Sequence, residues 1–366
     1  MLVNFPIDLF NTKEQDQSTL GIPRYKNNKL LELKMISKLK TTLVAGVMTA
    51  AISGFAHAEA EHKLTFSTYW PTSYNYLIDP IFSFADKVKE RTGGRVEIEI
   101  FHSQQLFGGK EEFGALERGD IDMSAPMDTY NTGSVPELGI ASMPFLWPNP
   151  RAMQKSLDAG LWDLGVTQAM ENRGVKVLNV AAGGPYQLYG KGFEIRKPSD
   201  LKGKKIAVSG TAASRAMELV GASPTSMSSG DLYVALQRGT IDATSRPLIT
   251  GIGRKLYEVL DNVTVVNMSY FSTALAINMD SWNKLPADIQ KIMEEAAFER
   301  GQEQLVLLEA YMDDAEKLFA ENKVNYHVAT DAELAVFQEA VSPVYDWWKS
   351  EVSDADKYIE FARKNQ

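Results

Sequence analysis

Side chains able to carry out covalent or metal chemistry are sparse in this sequence. There is no cysteine, which removes thiolate ligands and a thiol nucleophile. Beyond residue 58 the histidines are His62, His102 and His327, too far apart to suggest a metal site or a catalytic triad. The acidic residues Glu111 and Glu112 are interpreted as part of a solvated helix face. The sequence therefore favours a binding protein without catalytic residues, metal or cofactor over an enzyme.

A repeated octet, Ala-Leu-x-Arg-Gly-x-Ile-Asp, is the clearest organising signal. It occurs at residues 115–122 and again at 235–242. In each copy Gly119 or Gly239 is expected to be the left-handed residue that ends a helix, and the following Ile121 or Ile241 should begin a buried strand. A unit repeated in this way predicts two α/β lobes of related build, and such lobes commonly bind a small ligand between them.

The residues after the two octets differ, and the difference suggests how a ligand is recognised. Residues 243–247 contain an arginine, Arg246, where residues 123–126 have an alanine. A guanidinium at the end of a strand could bind a carboxylate through two parallel hydrogen bonds. The alternative is a structural arginine that bonds the hinge or the other lobe. Arg215, near the start of a predicted helix, is a weaker candidate and is more typical of a surface residue.

The formal net charge of −9 argues against nucleic-acid binding.

The N-terminal region predicts export. Lys38 and Lys40 precede an uncharged stretch, residues 41–55, which ends in Ala-His-Ala at 56–58. This pattern predicts a signal peptide over about 35–58, cleaved after Ala58, with residues 1–34 as an N-terminal extension. A short transmembrane anchor is the alternative, but the stretch is short for a bilayer. We therefore expect a periplasmic protein that does not span the membrane after cleavage.

Alternating helices and strands predict an α/β fold with largely parallel sheets, divided into two lobes. The small residues at 181–185 mark the first crossing between lobes, and the return is expected near Ser272. Lobe I is predicted at 61–183 and 272–312, and lobe II at 184–271 and 313–366. Residues 286–322 have helical periodicity over roughly 55 Å, which predicts one helix spanning both lobes. Two helices broken at Gly301 are the alternative.

Three longer stretches resemble a known family. PSDLKGKKIAVSG, LVGASPTSM and DLYVALQRGTIDATSRP, within residues 198–247, are similar to the extracytoplasmic solute-binding proteins of TRAP transporters, the DctP type. FHSQQLFGGKEEFGALERGDIDMS (101–124) and MPFLWPNPRAM (143–153) extend the resemblance, which covers residues 62–350 in order. The resemblance implies a periplasmic binding protein fold, in which two lobes are joined by hinge strands and a long helix. It also implies closure over a ligand, mostly a small organic acid, and delivery to TRAP membrane subunits, a small four-helix protein and a large permease.

One position departs from the family pattern. The resemblance implies an arginine in the strand after the DLKG segment, where it binds the carboxylate of the ligand. Here that strand reads KIAV at 205–208, with Ala207 at the arginine position. A carboxylate closed inside a dry cleft still needs a cation or several donors. Arg246 is therefore the predicted replacement. Tyr186 stands where some relatives have a second arginine.

The remaining residues predicted to face the cleft are mostly apolar or aromatic. With Arg246 they are Tyr69, Trp70, Met127, Asp128, Tyr186, Ser209, Tyr270 and Phe271. Each of them is also compatible with a place in a hydrophobic core. Taken together, aromatic walls favour a monocarboxylate with an apolar or aromatic body over a sugar acid. Asp128 leaves open a ligand that carries an amine.

The sequence thus predicts an exported receptor that captures a small organic acid for a TRAP-type transporter. The alternatives are a sensory module that presents its ligand to a receptor, a periplasmic receptor for an amine or a neutral solute, and the receptor of an ATP-driven importer. A periplasmic enzyme is the least favoured alternative, because no pair of nucleophile and base is recognisable.

Overall fold

Two β-sheets form the framework of residues 60–366, which are the residues that the computed structural model describes. The N-terminal extension and the signal peptide predicted over residues 1–58 lie outside the described residues. The strands, in chain order, are β1 (His62–Ser67), β2 (Val96–Phe101), β3 (Met123–Ser124), β4 (Val175–Ala182), β5 (Tyr186–Gly190), β6 (Lys205–Val208), β7 (Ser223–Ser226), β8 (Ala243–Pro247), β9 (Asn262–Val265), β10 (Ser272–Asn278) and β11 (Asn325–Val328).

Helices cover both sheets. In chain order they are α1 (Asn75–Arg91), α2 (Glu112–Arg118), α3 (Asp128–Asn131), α4 (Pro150–Asp158), α5 (Val166–Glu171), α6 (Thr211–Leu219), α7 (Leu232–Gln237), α8 (Leu248–Gly253), α9 (Met279–Asn283), α10 (Ala287–Glu321), α11 (Asp331–Val341), α12 (Val344–Glu351) and α13 (Ala355–Lys364). Within the described part of the chain, none of these helices combines the length and the apolar character needed to cross a membrane.

The two sheets define the two lobes and differ in strand order. Lobe I has the order β2-β1-β3-β10-β4, and lobe II has the order β11-β9-β5-β8-β6-β7. The pairs β1–β2, β1–β3, β6–β7, β6–β8 and β9–β11 are parallel, as the alternation of helices and strands predicted. The antiparallel pairs all involve β5 or β10. Each of these strands begins directly after the chain has passed from one sheet to the other.

The two octets end their helices in the same way. Gly119 and Gly239 have φ angles of 74° and 67°, the left-handed region that glycine adopts without strain. The amide after each glycine bonds the carbonyl five residues earlier, at 2.9 Å in the first copy and 3.0 Å in the second. Ile121 and Ile241 are buried, but the prediction that they begin strands was wrong, since β3 and β8 start two residues later.

The aspartate that closes each octet explains this offset. Asp122 donates its amide to the Thr65 carbonyl (3.1 Å), and its Oδ2 accepts the Thr65 amide (2.8 Å). Asp242 makes the same two hydrogen bonds to Lys205: its amide donates to the Lys205 carbonyl (2.8 Å), and its Oδ2 accepts the Lys205 amide (2.9 Å). Each aspartate thus satisfies both backbone groups of a residue on the neighbouring parallel strand, before the regular pairing starts. The repeated motif therefore fixes strand pairing in both lobes.

Helix α10 is continuous and reaches both lobes. It contacts α1 and β4 in lobe I, and α8 and β11 in lobe II. The alternative with a break at Gly301 does not occur. A Cβ at Gly301 would lie 2.5 Å from Oδ1 of Asn179 on β4, so the glycine permits close packing of helix on strand. The predicted spine is therefore present as one helix, and its small residue serves packing.

The chain passes from the lobe I sheet to the lobe II sheet over residues 183–185 and returns over 266–271. After α10, helix α11 packs against α6 of lobe II, whereas α13 packs against α4 beside the lobe I sheet. The C-terminal helices therefore contact elements of both halves. The exact residue limits given above for the two lobes stay a prediction.

Candidate functional site

A small cavity lies where the two lobes meet. About 10 Å³ of it is open to the centre of a water molecule, which is room for roughly one water. The side chains therefore fill this cavity almost completely, and a ligand larger than a water molecule requires them to move apart. The lining residues are Tyr69, Tyr74, Leu77, Met127, Tyr130, Tyr186, Ser229, Arg246, Pro247, Ile249, Thr250 and Phe271.

Arg246 brings the charge to this cavity. It is 1% exposed, at the end of β8. Its guanidinium donates to the carbonyls of Ser245 (2.7 Å), Val208 (3.1 Å) and Met227 (2.6 Å), and its Nε is buried without a partner. No carboxylate within residues 60–366 pairs with it. The three carbonyls orient the guanidinium without neutralising its charge, so an anion in the cavity would supply the missing counter-charge.

Ala207, where the resemblance implies an arginine, is buried in the apolar core of lobe II. Strands β6 and β8 are neighbours, and Ala207 is in register with Thr244. The guanidinium of Arg246 reaches back to the carbonyl of Val208, one residue beyond Ala207. The guanidinium of Arg246 therefore lies beside the end of β6, the strand in which the resemblance implied an arginine.

Tyr186 and Phe271 form an aromatic wall on the two crossing segments. Their rings meet edge to face, with centroids 5.9 Å apart. The Tyr186 hydroxyl is hydrogen-bonded to the Ser209 hydroxyl at 2.8 Å and to the Thr129 hydroxyl at 3.3 Å. Burial raises the pKa of Tyr186 above its usual value, and the positive charge of Arg246 opposes this shift without cancelling it. The phenol therefore stays protonated and remains a hydrogen-bond donor. Ser209 holds this phenol and is not itself a lining residue.

Lobe I contributes the facing wall. Tyr69 is 1% exposed, and its hydroxyl contacts the sulfur of Met127. The ring of Tyr130 lies 5.6 Å from that of Tyr69. These side chains present rings and a thioether to the cavity. The wall thus suits an apolar body with few polar groups.

Two of the predicted aromatic residues, Trp70 and Tyr270, are buried but do not line the cavity. Trp70 is fully buried, packs edge to face against Tyr69 and has an indole N–H without a partner. Tyr270 is 1% exposed, and its hydroxyl also has no partner. Both belong to the packed hydrophobic core. They could affect a ligand only indirectly, through the residues that line the cavity.

Asp128 does not line the cavity either. Its Oδ2 accepts the amide of Ser272 (2.6 Å) and the Ser272 hydroxyl (2.7 Å), and its Oδ1 accepts the Thr129 amide (2.5 Å). The carboxyl therefore ties the start of α3 to the start of β10. Burial raises the pKa of Asp128 to about 7, although the hydrogen bonds from Ser272 and Thr129 lower it. Desolvation prevails because no cation in residues 60–366 pairs with this carboxyl.

The free energy of unfolding is expected to fall as the pH rises from about 4 to about 7. In this window folded Asp128, with its pKa near 7, keeps a proton that the unfolded chain has released. The stabilisation is therefore fully present below about pH 4, where both forms are protonated, and is lost as the pH rises through 7. It amounts to on the order of 4 kcal/mol. Urea unfolding at a series of pH values measures it.

The matched variant for this prediction is Asp128→Asn, which cannot titrate. Its free energy of unfolding should vary less with pH between 4 and 7 than that of the parent protein. Parallel curves for the two proteins would show that Asp128 does not carry the effect.

Glu112 corrects the interpretation of the acidic pair at 111–112. It is fully buried at the start of α2, and burial raises its pKa, although hydrogen bonds from the Tyr69 backbone and the Ser124 side chain oppose this shift. Helix periodicity did not reveal this, because the residue faces inward on a short helix. Arg215, the weaker cation candidate, pairs with Glu218 at 3.1 Å on the surface of α6.

The sequence reasoning missed the lining residues that close the cavity across the lobes. The Tyr74 hydroxyl donates to Thr250 Oγ1 (3.1 Å), and the Tyr130 hydroxyl accepts the amide of Ser229 (2.9 Å). These four residues come from segments far apart in the chain, and no local motif links them. The described residues contain no group of three or more His, Cys, Asp or Glu side chains that could hold a metal ion.

Comparison with known proteins agrees with this architecture. The family model of the bacterial extracellular solute-binding proteins of family 7, DctP, matches residues 66–351. The C4-dicarboxylate-binding periplasmic protein of Rhodobacter capsulatus is 27% identical over 273 residues, which are 72% of this chain and 79% of that protein. Both comparisons are with binding proteins and not with enzymes.

Solved structures give the same fold. A TRAP periplasmic solute-binding protein from Ralstonia eutropha H16, with bound (S)-2-acetolactate, is 27% identical with a TM-score of 0.76, covering 82% of this chain and 99% of that one. The one from Chromohalobacter salexigens, with bound D-glucuronate, is 22% identical with a TM-score of 0.78, covering 83% and 100%. The chain therefore belongs to the DctP family of bacterial extracellular solute-binding proteins.

Proposed function

We propose that this chain is the exported receptor of a TRAP-type transporter and captures a small monocarboxylate with an apolar or aromatic body. Arg246 carries the proposal. Among the described residues that line the cavity it is the single charged side chain, and its hydrogen bonds go to carbonyls. One buried cation matches one carboxylate, because a second carboxylate would have no cation to offset its desolvation.

The walls of the cavity also support this specificity. The rest of the lining is mainly tyrosine, phenylalanine, methionine and aliphatic side chains, with a few hydroxyls. Such a surface favours contact with a ring or an aliphatic chain, and each CH₂ buried contributes about 0.8 kcal/mol. Relatives of this chain were solved with acetolactate, succinate or glucuronate. These ligands are all carboxylates, which supports an acid here.

Family membership supports the remaining parts of the proposal. The protein would act in the periplasm after removal of the signal predicted at 35–58. It would deliver its ligand to the small four-helix subunit and the large permease of a TRAP transporter. Closure of the lobes around the acid would create the form that the membrane subunits receive.

A ligand panel tests the proposed specificity. We expect phenylacetate to raise the melting temperature of the protein with increasing concentration, since a ligand of the folded state stabilises it by mass action. Its neutral isostere phenylacetamide should have little effect, because it brings no charge to Arg246. Succinate, D-glucuronate and putrescine complete the panel.

Each outcome of the panel decides between specificities. Equal stabilisation by phenylacetamide would contradict charge recognition by Arg246. A preference for succinate or glucuronate would overturn the monocarboxylate, and a preference for putrescine would point to an amine receptor.

A further inference from the structure

The two crossings between the lobes form a short hydrogen-bonded ribbon. Residues 183–186 run beside residues 268–271. The Gly183 amide donates to the Phe271 carbonyl (2.7 Å), the Tyr186 amide to the Ser269 carbonyl (2.7 Å), and the Met268 amide to the Tyr186 carbonyl (3.1 Å). We call these two segments the hinge ribbon. Any rotation of one lobe against the other must bend it, together with α10.

Buried side chains hold the ribbon at its lobe I end. Ala182 and Ser272 are in register as the last residue of β4 and the first of β10. Gln304 on α10 donates its Nε2 to the Ala182 carbonyl (2.9 Å), and Gln154 on α4 accepts the Ala182 amide (2.8 Å). Asp128 accepts both the amide and the hydroxyl of Ser272. These contacts are the lobe I clamp.

Arg300 strengthens the lobe I clamp from α10. It is fully buried, and its Nη1 donates to the Gln304 Oε1 (2.6 Å) and to the Thr273 hydroxyl (3.3 Å). Burial lowers the pKa of Arg300 to about 10. No carboxylate within residues 60–366 pairs with it. A guanidinium kept in such a place fixes the orientation of the Gln304 amide, so that its Nε2 faces Ala182.

One residue holds the ribbon at its lobe II end. Gln187, fully buried on β5, accepts the amides of Val266 (2.8 Å) and Asn267 (2.9 Å) with its Oε1. Its Nε2 donates to the Asn267 side chain (2.7 Å) and to the Pro185 carbonyl (3.3 Å). This amide therefore joins both crossings where they enter the lobe II sheet. It is the lobe II clamp.

We propose that Gln187 and Gln304 are positioning residues that confine the bend between the lobes to the hinge ribbon. Tyr186 and Phe271 lie on this ribbon and also line the cavity. A solute that contacts these two rings therefore contacts the hinge ribbon itself. The position of the two rings in the cavity and the angle between the lobes then change together. The inference rests on closure of the lobes around a solute and does not depend on the acid proposed above.

The physical consequence concerns the open form. With both clamps in place, the ribbon has few conformations at each lobe angle, and closure loses little entropy. Without a clamp, the neighbouring strand ends detach and the lobes can move in more directions. The spread of interlobe distances should then increase even without a solute.

Spin labels on the two lobes test this proposal directly. The chain has no cysteine, so Glu90→Cys on α1 and Gln237→Cys on α7, both exposed, give one label on each lobe. Pulsed electron paramagnetic resonance of the full chain without added solute then measures the distribution of interlobe distances. We expect Gln187→Leu and Gln304→Leu to broaden this distribution by about twofold.

The control separates a hinge effect from a general loss of stability. Asn278 is also buried and also bonds backbone groups through its side chain, but it lies at the far end of β10 from the ribbon. Asn278→Leu should lower the urea midpoint to a similar extent and leave the distance distribution unchanged. Broadening by Asn278→Leu, or unchanged distributions in both glutamine variants, would overturn the proposal.

A conservative variant tests the individual bond. Gln304→Glu keeps an acceptor for Arg300 but loses the donor to the Ala182 carbonyl. It should broaden the distribution as Gln304→Leu does. A distribution like that of the parent protein would assign the effect to packing against Arg300 and would remove Gln304 as a clamp. Because no solute is present, these results are independent of the ligand panel.

Discussion

Arg246→Ala is expected to weaken the binding of phenylacetate strongly while the protein still folds. The substitution removes the charged side chain of the cavity and leaves the ligand carboxylate buried without a counter-charge. Truncating one partner of such a pair costs about 2–5 kcal/mol, roughly a 30- to 5,000-fold rise in Kd. The carbonyls of Ser245, Val208 and Met227 also lose a donor, so the free energy of unfolding should fall by about 1–3 kcal/mol. Calorimetric titration measures the first effect and urea unfolding the second.

Two arginine variants make this result interpretable. Arg246→Lys keeps the charge but loses the planar fork, so its affinity should lie between those of the parent protein and Arg246→Ala. Arg215→Ala removes an arginine paired with Glu218 on the surface of α6 and should leave Kd unchanged. An Arg246→Ala protein that binds phenylacetate with the affinity of its parent would rule out this residue as the carboxylate site.

Gly183→Ala is expected to weaken ligand binding and to destabilise the protein through a single added methyl group. A Cβ at this position would lie 2.2 Å from Cε2 of Phe271, far inside van der Waals contact. The Phe271 ring must shift, and that ring lines the cavity and packs against Tyr186. Overpacking of this kind costs about 1–3 kcal/mol. We expect roughly a 10- to 100-fold rise in Kd for phenylacetate, measured by calorimetry.

A relieved variant and a neutral glycine provide the controls. Phe271→Leu in the Gly183→Ala protein removes the ring that the methyl group meets, so it should restore part of the lost stability. Gly133→Ala adds the same methyl group where no atom lies within 4 Å and should change neither stability nor affinity. If Gly183→Ala behaved like Gly133→Ala, close packing of Phe271 on the hinge ribbon would not matter for the site.

Local chemistry in the sequence anticipated much of the fold. The two octets marked matching helix ends, because a left-handed glycine is needed there whatever lies around it. The long periodic segment before residue 322 gave the spine. The strand starts were predicted too early, at Ile121 and Ile241. The offset arises because Asp122 and Asp242 bond to the neighbouring strands through their side chains, and hydrophobic periodicity in the sequence does not reveal such bonds.

The site was anticipated in part. Arg246 was predicted from its place at the end of a strand and Tyr186 from its place just beyond the first crossing, and both line the cavity, as do the predicted residues Tyr69, Met127 and Phe271. Trp70 and Tyr270 have the same composition signal and lie in the core. Within a strand, side chains point alternately to the two faces of the sheet, but this regular alternation stops where the chain leaves the strand. The sequence therefore could not distinguish residues that line the cavity from residues of the hydrophobic core.

By itself, the sequence determined what depends on neighbours along the chain: the helix ends at Gly119 and Gly239, the α/β alternation, the family motifs and the unusual Ala207. The tertiary structure decided what depends on residues far apart, namely which side chains meet between the lobes and which are held behind them. Burial and partners arise from the packing of whole lobes and are not encoded by any one segment. For that reason the tertiary structure was needed to place Arg246 against three carbonyls at the cavity, and Asp128 against the hinge.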